Sequence, residues 1–150
     1  MTVDSATQAD LAALLPLMRG YCDFYGASPS DEGLAEMASS LMAAPDSEGM
    51  LLVARDDLGT PIGFAVVGWK WSSLRAARVA VMEDLFVDAG ARGGGAGQAL
   101  IEACAERARA NGAPCLLWMT APDNTVAQSV YERAGATGET WLEYELELGG

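Results

Sequence analysis

The spacing of apolar and polar positions changes several times along the chain, and each change marks an element. From Leu11 onward, Leu11, Leu14, Leu15 and Met18 recur every three or four residues, which is one face of a helix, with Asp10 ahead of them as its cap. A second helical stretch is expected at 33–43, after a turn at 28–30, and 45–48 reads as loop. Residues 2–6 suit a short first strand. Residues 50–55 and 60–71 read as two strands joined by the turn Asp56, Asp57, Leu58, Gly59, and 79–87 reads as another. The sharpest alternation lies at 142–148, with Leu142, Tyr144, Leu146 and Leu148 on one face and Glu143, Glu145 and Glu147 on the other, the pattern of a half-exposed antiparallel strand. Strands and helices interleave without an internal repeat, so the class is α/β or α+β with a mixed sheet.

One junction in this pattern carries chemistry. The strand Val-Met-Glu-Asp-Leu-Phe-Val ending at Val87 breaks into an Arg-led glycine loop, and a helix follows over 98–110. Ile101, Cys104, Ala105 and Ala108 lie on its apolar side, opposite Glu102, Glu106 and Arg109. The first amides of a helix lack internal partners and carry the positive end of its dipole, so Gly93, Gly94, Gly95 and Gly97 make a cradle that phosphate oxygens can approach closely. A Walker A loop would need Gly-Lys-Ser/Thr, and the single lysine is Lys70; a dinucleotide fingerprint through Gly93 and Gly95 fails at Gln98. The pattern that fits is Arg-x-x-Gly-x-Gly, at Arg92, Gly95 and Gly97. Downstream, an apolar run at 115–120 leads into Ala-Pro-Asp-Asn and a short helical face of Ala127, Val130, Tyr131 and Ala134, closed by Gly135.

These two stretches together resemble the GCN5-related N-acetyltransferase (GNAT) superfamily. Its glycine loop matches Arg92, Gly95 and Gly97, and its late motif Asn-x-x-Ala-x-x-x-Tyr-x-x-x-Gly matches Asn124, Ala127, Tyr131 and Gly135 in register. The Glu-Asp-x-Phe-Val wording at 83–87 is similar to the diamine and thialysine acetyltransferase branch. The resemblance implies a mixed, mostly antiparallel sheet flanked by helices, with strands splayed near the cofactor. It also implies direct transfer of acetyl from acetyl-coenzyme A to the primary amine of a small cationic acceptor. Leu85, Phe86, Val87, Arg92, Gly93, Gly94, Gly95, Ala96, Gly97, Gln98, Asn124 and Tyr131 are its cofactor-binding positions. Tyr131 is the general acid for the departing thiolate, and Asn124 meets the cofactor, caps its helix, or does both.

An alkylammonium with a pKa near ~10 must lose a proton before it attacks a thioester. Glu83 and Asp84 are the carboxylates placed to take it, with Glu83 as candidate base and both as acceptor-binding residues. Neighbouring strand residues face opposite ways, so both serve one side only if the strand bulges, as the family's strand does here. Tyr25 joins them as an acceptor contact within the aromatic and acidic group Tyr21, Asp23, Phe24, Tyr25, Asp31 and Glu32. Trp69 and Trp71 share a strand face and suit the core, a subunit contact or the acceptor. Acetylation of a protein lysine or N-terminus, or non-catalytic sensing of acyl-coenzyme A, are the other readings.

Composition bounds the rest. The 150 residues with 51% apolar content make one domain with a real core. A net charge of −12 argues against nucleic acid. No apolar run is long enough for a bilayer, and Asp4 and Asp10 stand where a signal peptide carries positive charge, which leaves the cytoplasm as the expected location. Cys22, Cys104 and Cys115 lack metal or disulfide spacing, and histidine is absent, so no metal site is expected. A homodimer, with Trp141 and the terminal strand packing across a two-fold axis, is the expected assembly.

Overall fold

The computed structural model describes residues 1–149, which divide into two compact units, Met1–Met119 and the segment from Thr120 onward. The first unit is built on a five-stranded sheet in the order β1 (Thr2–Ser5), β2 (Met50–Arg55), β3 (Pro61–Ser72), β4 (Ala77–Val87), β5 (Leu116–Leu117). The first four strands are antiparallel neighbours, and β5 runs parallel to β4. The sheet is therefore mixed and mostly antiparallel.

Helices cover both faces. In β2, Met50 through Ala54 are all buried, as expected for a strand with packing on two sides. Leu51 and Val53 join Phe64 and Val66 of β3 under α1 (Leu11–Phe24) and α2 (Asp31–Ala43), which contribute Leu14, Leu17, Met18, Leu34, Ala38 and Leu41. The alternate residues Leu52, Ala65 and Val67 face the other way. There α3 (Ala96–Ala110) packs on β2, β3 and β4 and buries Leu100, Ile101, Cys104 and Ala108. The helix starts two residues earlier than the apolar pattern indicates, because Ala96 is already buried.

Local chemistry sets the helix starts. The Ser30 hydroxyl accepts from the Gly33 amide at 3.0 Å and caps α2. Asp10 occupies the cap position of α1, but its side chain accepts no amide of that helix. A tight helical turn at Gln8–Asp10 precedes that helix, and the Asp10 carboxylate reaches back to the Thr7 amide at 2.8 Å and across to Arg55 at 2.8 Å. Gly20, inside α1, brings that helix close to β4: a Cβ there would stand 2.9 Å from the Phe86 ring.

The second unit contains α4 (Thr125–Arg133), whose half-buried face carries Ala127, Val130, Tyr131 and Ala134, as the pattern at 127–134 indicates. Gly135, at φ +89°, ends it in the left-handed region. One strand expectation needs correction. The apolar run at 115–120 contains the two-residue β5, and 142–148, expected as a strand, forms none among the described residues.

Candidate active site

The register between β3 and β4 changes at one point. Val66 lies opposite Asp84, but Val67 lies opposite Met82, so Glu83 is an extra residue in β4. This is a β-bulge, and it cancels the alternation that would send adjacent side chains to opposite faces. Asp84 shares the face of Val66, the α1/α2 side. Glu83 lies over Gly68, two residues on from Val66 and therefore on the same face; a Cβ built at Gly68 would stand 3.7 Å from Glu83 Oε1. Two consecutive carboxylates thus occupy one side of the sheet.

Their surroundings differ. Glu83 is exposed, whereas Asp84 is half-buried beside Tyr21 of α1. The Tyr21 hydroxyl donates to the Glu83 carbonyl oxygen across 3.4 Å, a long contact, and shares its proton with the Asp84 carboxylate. Burial pushes the Asp84 carboxyl above its ordinary value, and the Tyr21 hydrogen bond pulls it only partly back. Burial and the Asp84 carboxylate together push the Tyr21 phenol strongly upward, so it keeps its proton.

An aromatic row leads outward from this pair. The Tyr21 ring meets Phe64 and Phe86 edge-on at 6.0 and 6.4 Å, Tyr25 lies 5.0 Å from Tyr21, and Phe24 lies 5.1 Å from Tyr25. Phe24 and Tyr25 are 64% and 62% exposed, so the outer end of the row is open to a ligand. The rest of the aromatic and acidic group disperses. Asp31 pairs with Arg19 at 2.6 Å, and Asp23 and Glu32 are exposed. Trp69 donates to the Pro45 carbonyl at 2.9 Å and lies under the Arg78 guanidinium, which itself donates to the Asp46 carbonyl; this set ties the 45–46 turn to the sheet.

Beyond the bulge, β4 opens on its other edge. The β4–β5 ladder consists of Ala80 with Leu116 and Val81 with Leu117, and goes no further. Asp88 donates to the Ile62 carbonyl at 2.8 Å, so in an antiparallel ladder Phe86 and Asp84 also direct their backbone groups to β3. Leu85 and Val87 direct theirs to the edge that β5 leaves. Of the three expected backbone contacts at 85–87, Leu85 and Val87 therefore face the gap. Phe86 instead supplies its ring to the Tyr21 row.

The glycine loop follows directly. Asp88 accepts from Gly90 at 3.3 Å to form the turn Ala89–Ala91. Arg92 folds back, with Nε donating to the Val87 carbonyl at 2.9 Å and its guanidinium 5.6 Å from the Phe86 ring centre. Its terminal nitrogens make no ion pair among the described residues. Gly93 and Gly95 have φ of +86° and +87°, and a Cβ on either would touch nothing within 4 Å of protein. The backbone angle demands glycine at both positions. Gly95 caps α3 without a side-chain hydrogen bond to the amides of Ala96, Gly97 and Gln98, so the positive end of the helix dipole is left as an uncovered cradle suited to an anion.

In the second unit, the Asn124 side chain accepts from the Ala127 amide at 3.3 Å and caps α4, which is one of the two roles open to it. Tyr131 lies on the half-buried face of the same helix. Cys22 and Cys104 are buried and Cys115 is half-buried, all as free thiols; burial pushes Cys104 up to about 12 against a smaller opposing pull from Arg107. No helix among the described residues is long and apolar enough to cross a membrane.

What the sequence missed is Tyr21 as a partner of the carboxylates. It stands among five other aromatic or acidic residues, and only the packing of α1 on β4 singles it out.

Comparison with known proteins gives a consistent family. A model of the acetyltransferase (GNAT) family matches residues 14–136. An N-acetyltransferase from Bacillus subtilis (strain 168) named YhfO, itself uncharacterized, is 33% identical over 149 residues, covering 99% of this chain and 98% of its own. The crystal structure of a protein described as a probable acetyltransferase superposes with a TM-score of 0.86 at 28% identity, covering 100% of this chain and 99% of that one. The aminoglycoside N-acetyltransferase AAC(6')-Iy, solved in complex with CoA, superposes with a TM-score of 0.84 at 18% identity, covering 99% of this chain and 95% of its own, a likeness of fold. The chain belongs to the acetyltransferase (GNAT) family and is an enzyme of that family.

Proposed function

We propose that the protein transfers an acetyl group from acetyl-coenzyme A directly to the primary amine of a small cationic acceptor. The observation that carries this reading is the bulge at Glu83, which puts two carboxylates on one face of the sheet beside a partly exposed aromatic row. A carboxylate pair attracts an alkylammonium, and rings stack along its aliphatic body. Tyr25 belongs to this acceptor side. Similar folds described as aminoglycoside acetyltransferases, one of them solved with sisomicin, support a polycationic acceptor.

Acetyl-coenzyme A, when bound, supplies the acetyl group as an activated thioester. The uncovered amides of Ala96, Gly97 and Gln98, with Gly93, Gly94 and Gly95 ahead of them and Arg92 beside them, fit its pyrophosphate. Leu85 and Val87 offer amides along the open strand edge, where a carbonyl oxygen gaining charge needs a donor. Glu83 or Asp84 takes a proton from the acceptor's ammonium. Tyr131 holds a phenolic proton for the departing sulfur. Asn124 serves by capping the helix that carries Tyr131.

The family match over 14–136 runs across both compact units, which supports treating them as one catalytic domain. A homodimer working in the cytoplasm completes the reading, with the 81% exposed Trp141 as a contact side chain.

The test is to incubate the purified protein with acetyl-coenzyme A and a panel of polyamines, aminoglycosides, amino acids and lysine peptides, reading products by mass spectrometry. Acetylation of a small polycationic amine is expected. Products on peptides alone would move the acceptor to proteins, and coenzyme binding without any product would indicate a sensor.

A further inference from the structure

We propose that Tyr21 is a positioning residue that makes Asp84, and not its exposed neighbour Glu83, the group that takes the proton from the acceptor amine. This inference rests on the acceptor site proposed above and names the residue that organises it.

The bulge gives β4 an extra residue that the ladder leaves unpaired, where a contact from another element can act as a hold. Tyr21 supplies the hold. Its ring is set edge-on against Phe64 and Phe86, with Tyr25 behind it, so the phenol has little freedom to move. From that fixed ring the hydroxyl reaches the bulge carbonyl of Glu83 at 3.4 Å and the Asp84 carboxylate next to it. One side chain on α1 therefore touches both the backbone of the bulge and the carboxylate that follows it.

The two carboxylates are unequal as a result. Glu83 is exposed, lies over the bare backbone of Gly68 and has water on its outer side. It suits the role of drawing in a cation. Asp84 is half-buried, shorter by one methylene and held by the phenol. The groups around it are Tyr21, with Tyr25 and Cys22 beside that residue on α1, and Glu83 on its own strand; across the ladder on β3 stands Val66, which carries no charge. No cation among the described residues pairs with Asp84. Burial without a cationic partner disfavours the carboxylate form, which brings Asp84 closer to the neutral range where a base exchanges protons productively.

The proton step balances simply. The ammonium gives one proton to the Asp84 carboxylate, leaving a neutral amine with a lone pair and a carboxylic acid, which returns the proton to solvent after the product leaves. The new bond is nitrogen to acetyl carbon, and the broken bond is carbon to sulfur. The nitrogen's second proton, lost as the amide forms, balances the one the departing sulfur takes up to become a thiol.

The test uses full-length wild type, Tyr21→Phe, Glu83→Gln and Asp84→Asn. Asp84→Asn is expected to lose about 100-fold or more in kcat, and Glu83→Gln chiefly to raise KM for the amine. Tyr21→Phe keeps the ring and its packing but removes the hydroxyl that lowers Asp84. The acidic limb of its kcat/KM profile is expected to move to higher pH, while that of Glu83→Gln stays in place. Carbon NMR of the Asp84 carboxyl, without substrate, is expected to show the same upward displacement in Tyr21→Phe. An unmoved limb and carboxyl titration in Tyr21→Phe, or loss of kcat in Glu83→Gln with Asp84→Asn active, would overturn the proposal. If wild type acetylated no amine, the proposed function and with it the base assignment would fail, and the NMR titration would still report whether Tyr21 holds Asp84.

Discussion

Asp10 is 8% exposed, and its carboxylate joins the Thr7 amide, the Thr7 hydroxyl and the Arg55 guanidinium. Burial alone would raise its pKa, but the Thr7 amide and Arg55 together outweigh burial and hold it below the ordinary value of 3.8. A carboxylate depressed in the folded state adds stability above its unfolded pKa and loses it as pH falls through the folded value. Asp10→Asn is therefore expected to cost about 3 kcal/mol near pH 7, with the gap to wild type narrowing as urea midpoints are followed below pH 4. A gap that stays constant down to pH 3 would show that the pair contributes nothing linked to protons. The sequence reveals Asp10 only as a polar residue before a helix. Its role as a buried partner of Arg55 depends on β2 folding back beside it, which no local pattern reports. Glu83 and Asp84 are legible as chemistry for the opposite reason, since two adjacent acids in an apolar strand have few structural uses.

At the scale of elements, the strand, loop and helix from Ala77 to Ala110 carry most of what the site needs. Apolar spacing identifies the strand and the helix, and the glycines identify the break between them. The reason for those glycines is less legible. Close approach of a phosphate is the expectation, whereas Gly93 and Gly95 are required by positive φ whatever binds there. Gly95→Ala is expected to destabilise by about 1–2 kcal/mol and to weaken coenzyme A binding, because the same strain displaces the start of α3. Gly94 has no such angle, and a Cβ there would stand an ordinary 3.6 Å from the Ala91 carbonyl, so Gly94→Ala is expected to leave the melting temperature nearly unchanged. Calorimetric melting and coenzyme A titration of both variants check this; equal losses would remove the argument from φ. The bulge is the element that residue spacing could not supply, since nothing in Val-Met-Glu-Asp-Leu-Phe-Val says which residue is extra. It became an expectation only through the family resemblance. The alternation at 142–148 is the converse case: a clear strand pattern without a ladder, because a strand needs an edge to pair with and periodicity does not name one.

For the whole molecule, the interleaved helices and strands are enough to give an α/β or α+β class with a mixed sheet, and the glycine and tyrosine motifs together are enough to give the family. The acceptor depends on side chains from α1, β3 and β4 meeting at one bulge, a convergence that is three-dimensional and only partly visible in the order of residues. A net charge of −12 with a polyanionic donor also becomes intelligible at this scale, since Arg92 is the one cation between Arg78 and Arg107 and lies at the open end of β4. The most direct test of the account is acetyl transfer by the double variant Glu83→Gln with Asp84→Asn, measured beside wild type on the amine that the panel identifies, with coenzyme A affinity followed in parallel. The account predicts a loss of about 100-fold or more in kcat/KM for the amine with coenzyme A affinity unchanged. Undiminished transfer by that variant would contradict it.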